Sequence, residues 1–199
     1  MKSFNLFSFV KYINEGMVTL RKKLFYWVSA LIIISACVFL VFDTKSPTPL
    51  TDNEAVNLSF KLSQSLSNLQ SGGDYKEGEY QSFIYENNTY RYLSSSIDSE
   101  KEWIQYLSQS MTKEAALRVF QEQNLILQNG KLAQIEADGG SLLEWEKSKA
   151  YLINQSGSTI VYKLLVPVGE TGETETFQVT FIKENQKVWR ITELPTSVN

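Results

Sequence analysis

The residues best suited to chemistry gather in one short stretch, Glu136-Ala137-Asp138-Gly139-Gly140-Ser141-Leu142-Leu143-Glu144-Trp145-Glu146. Four carboxylates, Glu136, Asp138, Glu144 and Glu146, fall within it, and no basic side chain follows until Lys147. Two consecutive glycines let a backbone approach another surface without side-chain interference. A slim acidic loop of this kind is shaped to enter a cleft of positive potential. A tight turn with solvated carboxylates is the alternative that composition leaves open. Glycoside hydrolysis needs only two acids, with stacking aromatics such as Trp103 and Trp145, yet nothing in the sequence sets an acid pair at the required separation. No Asp-x-Asn/Asp-x-Asn/Asp-Gly series is present to hold Ca²⁺.

Composition narrows the chemistry further. The chain has 199 residues, no His and the single Cys37. Ser-His-Asp and Cys-His nucleophilic machinery, imidazole metal ligands and a histidine pH switch are therefore excluded, and so is an internal disulfide. With 43% hydrophobic residues and only 10 Gly and 4 Pro, the chain is neither disordered nor of low complexity. Its length suits one modest globular domain with appendages. No cofactor or metal motif is found, and the expectation is a protein that is not an enzyme.

Stepping outward from the acidic stretch, the chain divides by charge. Leu24 to Phe42 is a run of 19 residues without a charge, preceded by Arg21, Lys22 and Lys23 and followed by Asp43. As a helix at about 1.5 Å per residue it would span most of a hydrocarbon core about 30 Å thick. Residues 1–42 carry five basic side chains against Glu15, a net of +4, which leaves −7 for the rest. Positive flanks stay cytoplasmic. The sequence thus predicts a basic cytoplasmic segment 1–23, a transmembrane anchor 24–42, a linker 43–51 and an external domain 52–195 with a short tail 196–199. The alternative is a lipoprotein modified at Cys37, since Ile34-Ser35-Ala36-Cys37 resembles a lipidation box, although the apolar run continues beyond it. An acidic external part without a basic stripe argues against nucleic acid, and external cysteine-free chains suit a Gram-positive cell face.

Within the external part, Thr51-Asp52-Asn53-Glu54 matches a capping box, and Ala55, Leu58, Leu62, Leu66 and Leu69 recur at helical spacing up to Gly72-Gly73. Aromatic segments Tyr80–Tyr85 and Tyr90–Leu93 flank a turn at residues 86–89. Ser99 and Thr112 cap two further helices. Asn129-Gly130 is a strong hairpin signal between 125–128 and 131–136. Segments 148–154, 158–168, 175–183 and 187–192 read as strands joined by hairpins. Gly169-Glu170-Thr171-Gly172-Glu173-Thr174-Glu175 reads as a solvated connection. The expected fold is a single α+β domain of three helices and about eight mostly antiparallel strands.

Tyr90-Arg91-Tyr92-Leu93, Gly130-Lys131-Leu132-Ala133-Gln134, the stretch Ala137 to Trp145, Val166-Pro167-Val168-Gly169 and Val188-Trp189-Arg190-Ile191 together resemble the IseA-type DL-endopeptidase inhibitor family over roughly residues 52–195. The resemblance implies a non-enzymatic inhibitor of papain-like cysteine hydrolases that cut peptidoglycan stem peptides. It also implies a single α+β domain with a mobile inhibitory loop at Asp138, Gly139 and Gly140, flanked by Glu136, Ala137, Ser141, Glu144, Trp145 and Glu146. Members are typically secreted after signal cleavage, whereas this chain is expected to keep a membrane anchor. Two other functions are consistent with the residues alone: an envelope binding or sensory domain, and a wall hydrolase working with carboxylates only.

Overall fold

The computed structural model of the protein describes residues 49–137 and 140–198, which belong to one compact unit, Pro47–Asn199. The expected anchor at 24–42, the cytoplasmic segment 1–23 and Cys37 lie outside the described residues. Among the described residues no helix is long and apolar enough to cross a membrane.

Helix α1 spans Asp52–Gln70 and starts on the expected capping box. The Thr51 hydroxyl accepts from the Glu54 amide at 3.3 Å, and the Glu54 carboxylate accepts from the Thr51 amide at 2.8 Å. The Thr51 amide, and the Thr51 hydroxyl donating to the same carboxylate at 2.9 Å, hold the Glu54 carboxyl below its ordinary pKa. Ala55, Ser59, Leu62 and Leu69 are buried along one stripe. Ser59 is tolerated there because its hydroxyl donates to the Ala55 carbonyl at 2.9 Å.

After α1 the backbone turns through Gly72 and Gly73, both with φ near +90°. A Cβ on Gly73 would overlap the Ser94 hydroxyl and Ile97, so the helix end and the segment after the second strand approach as closely as they do only because glycine stands there. Helices α2 (Glu100–Leu107) and α3 (Lys113–Glu122) follow, each with its expected cap. The Ser99 hydroxyl accepts from the Glu102 amide and the Thr112 hydroxyl from the Ala115 amide.

Among the described residues nine strands form two antiparallel sheets. β1 (Ser82–Tyr85), β2 (Asn88–Tyr92), β3 (Ile126–Gln128) and β4 (Lys131–Ile135) make the first, in the order β1-β2-β4-β3. The turn between β1 and β2 is tighter than expected. Glu86 and Asn87 alone occupy it, both at positive φ, and Asn88 and Thr89 join the strand. One face, carrying Arg91, Leu132 and Gln134, looks toward the helices. The other is an aromatic layer in which Phe83 stacks on Tyr90 with ring centres 5.8 Å apart and meets Tyr92 at a tilt with centres 4.8 Å apart.

The second sheet runs β5 (Lys149–Ser156), β6 (Thr159–Pro167), β7 (Thr174–Glu184) and β8 (Val188–Ile191). β9 (Thr196–Ser197) adds to β7 as an unexpected ninth strand, too short to leave a pattern of its own. Strand alternation turns Ile160, Tyr162, Leu164, Val166, Phe177, Val179 and Phe181 inward, where α1 and both sheets share one core. The Tyr162 hydroxyl donates to the Leu50 carbonyl at 2.7 Å and ties the start of the domain into that core.

Candidate functional site

The acidic stretch is the covalent junction between the two sheets, and each end is fastened to a different one. On the N-terminal side β4 ends at Ile135, which pairs with Tyr90. The Glu136 amide then donates to the Thr89 carbonyl at 2.8 Å. Arg91, next along β2, is 9% exposed and turns its guanidinium inward. Its Nη2 donates to the Ala137 carbonyl at 3.1 Å and to the Gln70 carbonyl at 3.0 Å. Helix α1 has no basic residue in its last turn, so Arg91 supplies the positive charge that the carbonyl end of a helix favours. Gln134 also donates to the Gln70 carbonyl, at 2.7 Å. Helix end, strand and loop base are thereby joined through one guanidinium. Nearby, burial pushes the Tyr75 hydroxyl pKa up, with the Arg91 cation opposing it, and that hydroxyl donates to the Tyr92 carbonyl at 2.7 Å.

On the C-terminal side the chain is stitched to the end of β6. The Ser141 hydroxyl accepts from the Leu143 amide at 3.1 Å. The Leu142 carbonyl accepts from the Gly169 amide at 2.8 Å, Leu143 forms an antiparallel bridge with Val168, and the Glu144 amide donates to the Pro167 carbonyl at 2.8 Å. A 3-10 turn, Trp145–Lys147, leads into β5.

The expected site residues therefore separate into distinct roles. Asp138 and Gly139 lie outside the described residues. Gly140 is exposed, and a Cβ there would meet nothing within 4 Å. Glu136 and Ala137 form the fastened base. Glu144 is engaged by Lys147 in an ion pair at 2.7 Å, while Glu146 is exposed. Trp145, considered above as a stacking surface, is instead buried with its ring 4.7 Å from that of Phe177. Among the described residues no group of acidic or cysteine side chains is arranged to hold a metal ion.

Sequence reasoning missed three participants. Arg91 and Gln134 stand within segments that carry the family resemblance, but single residues on strands give no sign of the carbonyls they will reach. Gly169, at φ +50°, begins the loop read as a solvated connection, and its amide is what fastens Leu142. Beside the loop base, a cleft of about 380 Å³ opens among Leu69, Gln70, Trp103, Leu125, Gln134 and Ala137.

The domain is a two-sheet α+β fold in which the chain passes from the first sheet to the second between two hydrogen-bonded ends. The chain belongs to the IseA DL-endopeptidase inhibitor family, which it matches over residues 46–196. It is a family of endopeptidase inhibitors, not of enzymes. The chain is also 30% identical over 174 residues to a Bacillus subtilis (strain 168) protein described as uncharacterized protein YoeB, with 85% of this chain and 96% of that one aligned.

Proposed function

We propose that this protein is a membrane-anchored, extracytoplasmic inhibitor of peptidoglycan DL-endopeptidases of the papain-like cysteine type, and that it blocks their active-site cleft with the loop around Asp138-Gly139-Gly140. Membership of the inhibitor family supports the general role. The observation that carries the loop assignment is the fastening of both loop ends, by Arg91 and the Thr89 carbonyl on one side and by Gly169 and Pro167 on the other. A loop held in this way presents a short span to a partner at little further cost in backbone entropy.

In the proposed mechanism the Asp138 carboxylate meets positive potential in the enzyme cleft. The glycines pass a thin backbone without side-chain clashes, and the rest of the domain shuts out substrate. No bond is broken. The anchor reading rests on the uncharged run Leu24–Phe42 and the basic residues before it, and it confines inhibition to hydrolases near the membrane.

The test is hydrolysis of soluble muropeptides by a purified DL-endopeptidase, with the full-length protein added in mild detergent. Dose-dependent inhibition by the wild type, weakened at least tenfold by Asp138→Lys, is expected, because reversing a charge opposite a positive cleft costs more than about 1.4 kcal/mol. Equal potency of the variant overturns the loop assignment. No inhibition of several such enzymes overturns the function and favours an envelope binding or sensory domain.

A further inference from the structure

We propose that Leu142 is an apolar anchor of the inhibitory contact, seated in an apolar pocket of the target endopeptidase beside the cleft that receives the loop; this rests on the loop reading above. Leu142 is 70% exposed, although the residues after it turn inward: Leu143 packs against the core and Trp145 is buried. The exposure is not that of a loose chain. The Leu142 carbonyl is held by the Gly169 amide at 2.8 Å, and the next two residues are fixed to Val168 and Pro167. Because Leu143 bridges to Val168 and faces the core, alternation along the extended backbone sends Leu142 outward.

Leu142 stands two residues beyond Gly140, so a partner that accepts the glycine loop must also cover or seat this side chain. Interfaces draw most of their energy from a few side chains seated in well-packed, desolvated pockets, while charges steer the approach, and a side chain on backbone already held in place loses less freedom when it is seated. Here the acidic part of the stretch and its apolar end are adjacent, and together they specify a partner surface with a positively charged slot next to an apolar recess. Among the described residues, two other aliphatic side chains are at least as exposed, Ile84 at 78% and Leu127 at 70%, and they sit on β1 and β3, the two edges of the first sheet. Leu127 is therefore a control of matched residue type and exposure.

Inhibition constants of the full-length wild type, Asp138→Lys, Leu142→Ala, Leu142→Met and Leu127→Ala against one DL-endopeptidase test the inference, with a thermal melt of each variant. Leu142→Ala is expected to raise the inhibition constant about tenfold, the loss of most of a buried leucine side chain. Its melting temperature should not change, since the side chain is exposed in the free protein. Leu142→Met should stay within about twofold of wild type, because volume-conserving apolar swaps are well tolerated, and so should Leu127→Ala, because that side chain is exposed on the edge strand β3 and not beside the loop. If Asp138→Lys weakens inhibition while Leu142→Ala does not, the anchor is refuted and the loop reading stands. If Leu127→Ala weakens inhibition as much as Leu142→Ala, the anchor is refuted as well. If the wild type inhibits nothing, both fall together, and that outcome is visible before any variant is compared.

Discussion

Replacing Arg91 with Met should loosen the loop without unfolding the domain. The guanidinium makes two charge-assisted hydrogen bonds, to the Gln70 and Ala137 carbonyls, each of a kind that contributes about 1.5–3 kcal/mol. The full sum is not lost. The Gln70 carbonyl keeps its bond from Gln134 at 2.7 Å, and Ala137 is exposed, so water replaces the donor there. Removing the cation also relieves the cost of burying a group whose Nε has no partner. The net destabilisation should be about 2 kcal/mol, a fall of about 4–8 °C in melting temperature for a domain of this size.

Potency should suffer separately. Freeing one fixed residue at the loop base adds about 1–2 kcal/mol of ordering cost on binding, which is on the order of tenfold in the inhibition constant. Arg91→Lys keeps the charge but not the fork, so it should fall between. Thermal melts, inhibition assays at 25 °C and hydrogen exchange of the Gly140–Leu143 amides report the two effects independently. An Arg91→Met protein that melts and inhibits like the wild type would refute the fastening argument.

Two further outcomes follow from the same contacts. Gly73→Ala places a side chain at φ +90° against the Ser94 hydroxyl and Ile97; strain and overpacking together should cost about 2–4 kcal/mol, read as a lower urea midpoint with an unchanged slope. The Glu79 carboxylate accepts from the Lys76 amide at 2.7 Å and the Ser95 amide at 2.6 Å, which hold its pKa at about 2 against an ordinary 4.5. A depressed pKa means stability present above pH 4.5 and lost as pH falls through about 2. Glu79→Gln should therefore flatten the dependence of melting temperature on pH within that window, and an unaltered profile would show that these bonds do not persist in solution.

Local order was legible in the sequence where one short segment carries its own instruction. The Thr51–Glu54 capping box, the Ser99 and Thr112 caps and the Asn129-Gly130 turn each form as their residue types require. Eight strands and three helices follow from hydrophobic period and turn residues. The pairing of β2 with β4 does not, because two helices and a strand intervene and no local signal names the partner. The same limit applies to the site. Glycines and carboxylates mark the loop, but what fastens it is Arg91 from 46 residues earlier and Gly169 from the far end of β6. Trp145, named above only as an aromatic that a carboxylate hydrolase could use for stacking, has its ring in the core against Phe177.

The order of elements has a consequence for how the domain would respond to a break in its chain. All of the first sheet precedes the loop and all of the second follows it. The two halves are held together elsewhere: the Thr112 amide donates to the Ile191 carbonyl at 2.9 Å, the Ile191 amide to the Ser110 carbonyl at 3.0 Å, Arg118 to the Thr192 carbonyl at 2.7 Å, and Tyr162 to Leu50. A nick in the loop would remove none of these contacts. The severed ends would stay where Arg91 and Gly169 hold them, and the domain would persist as a two-piece protein.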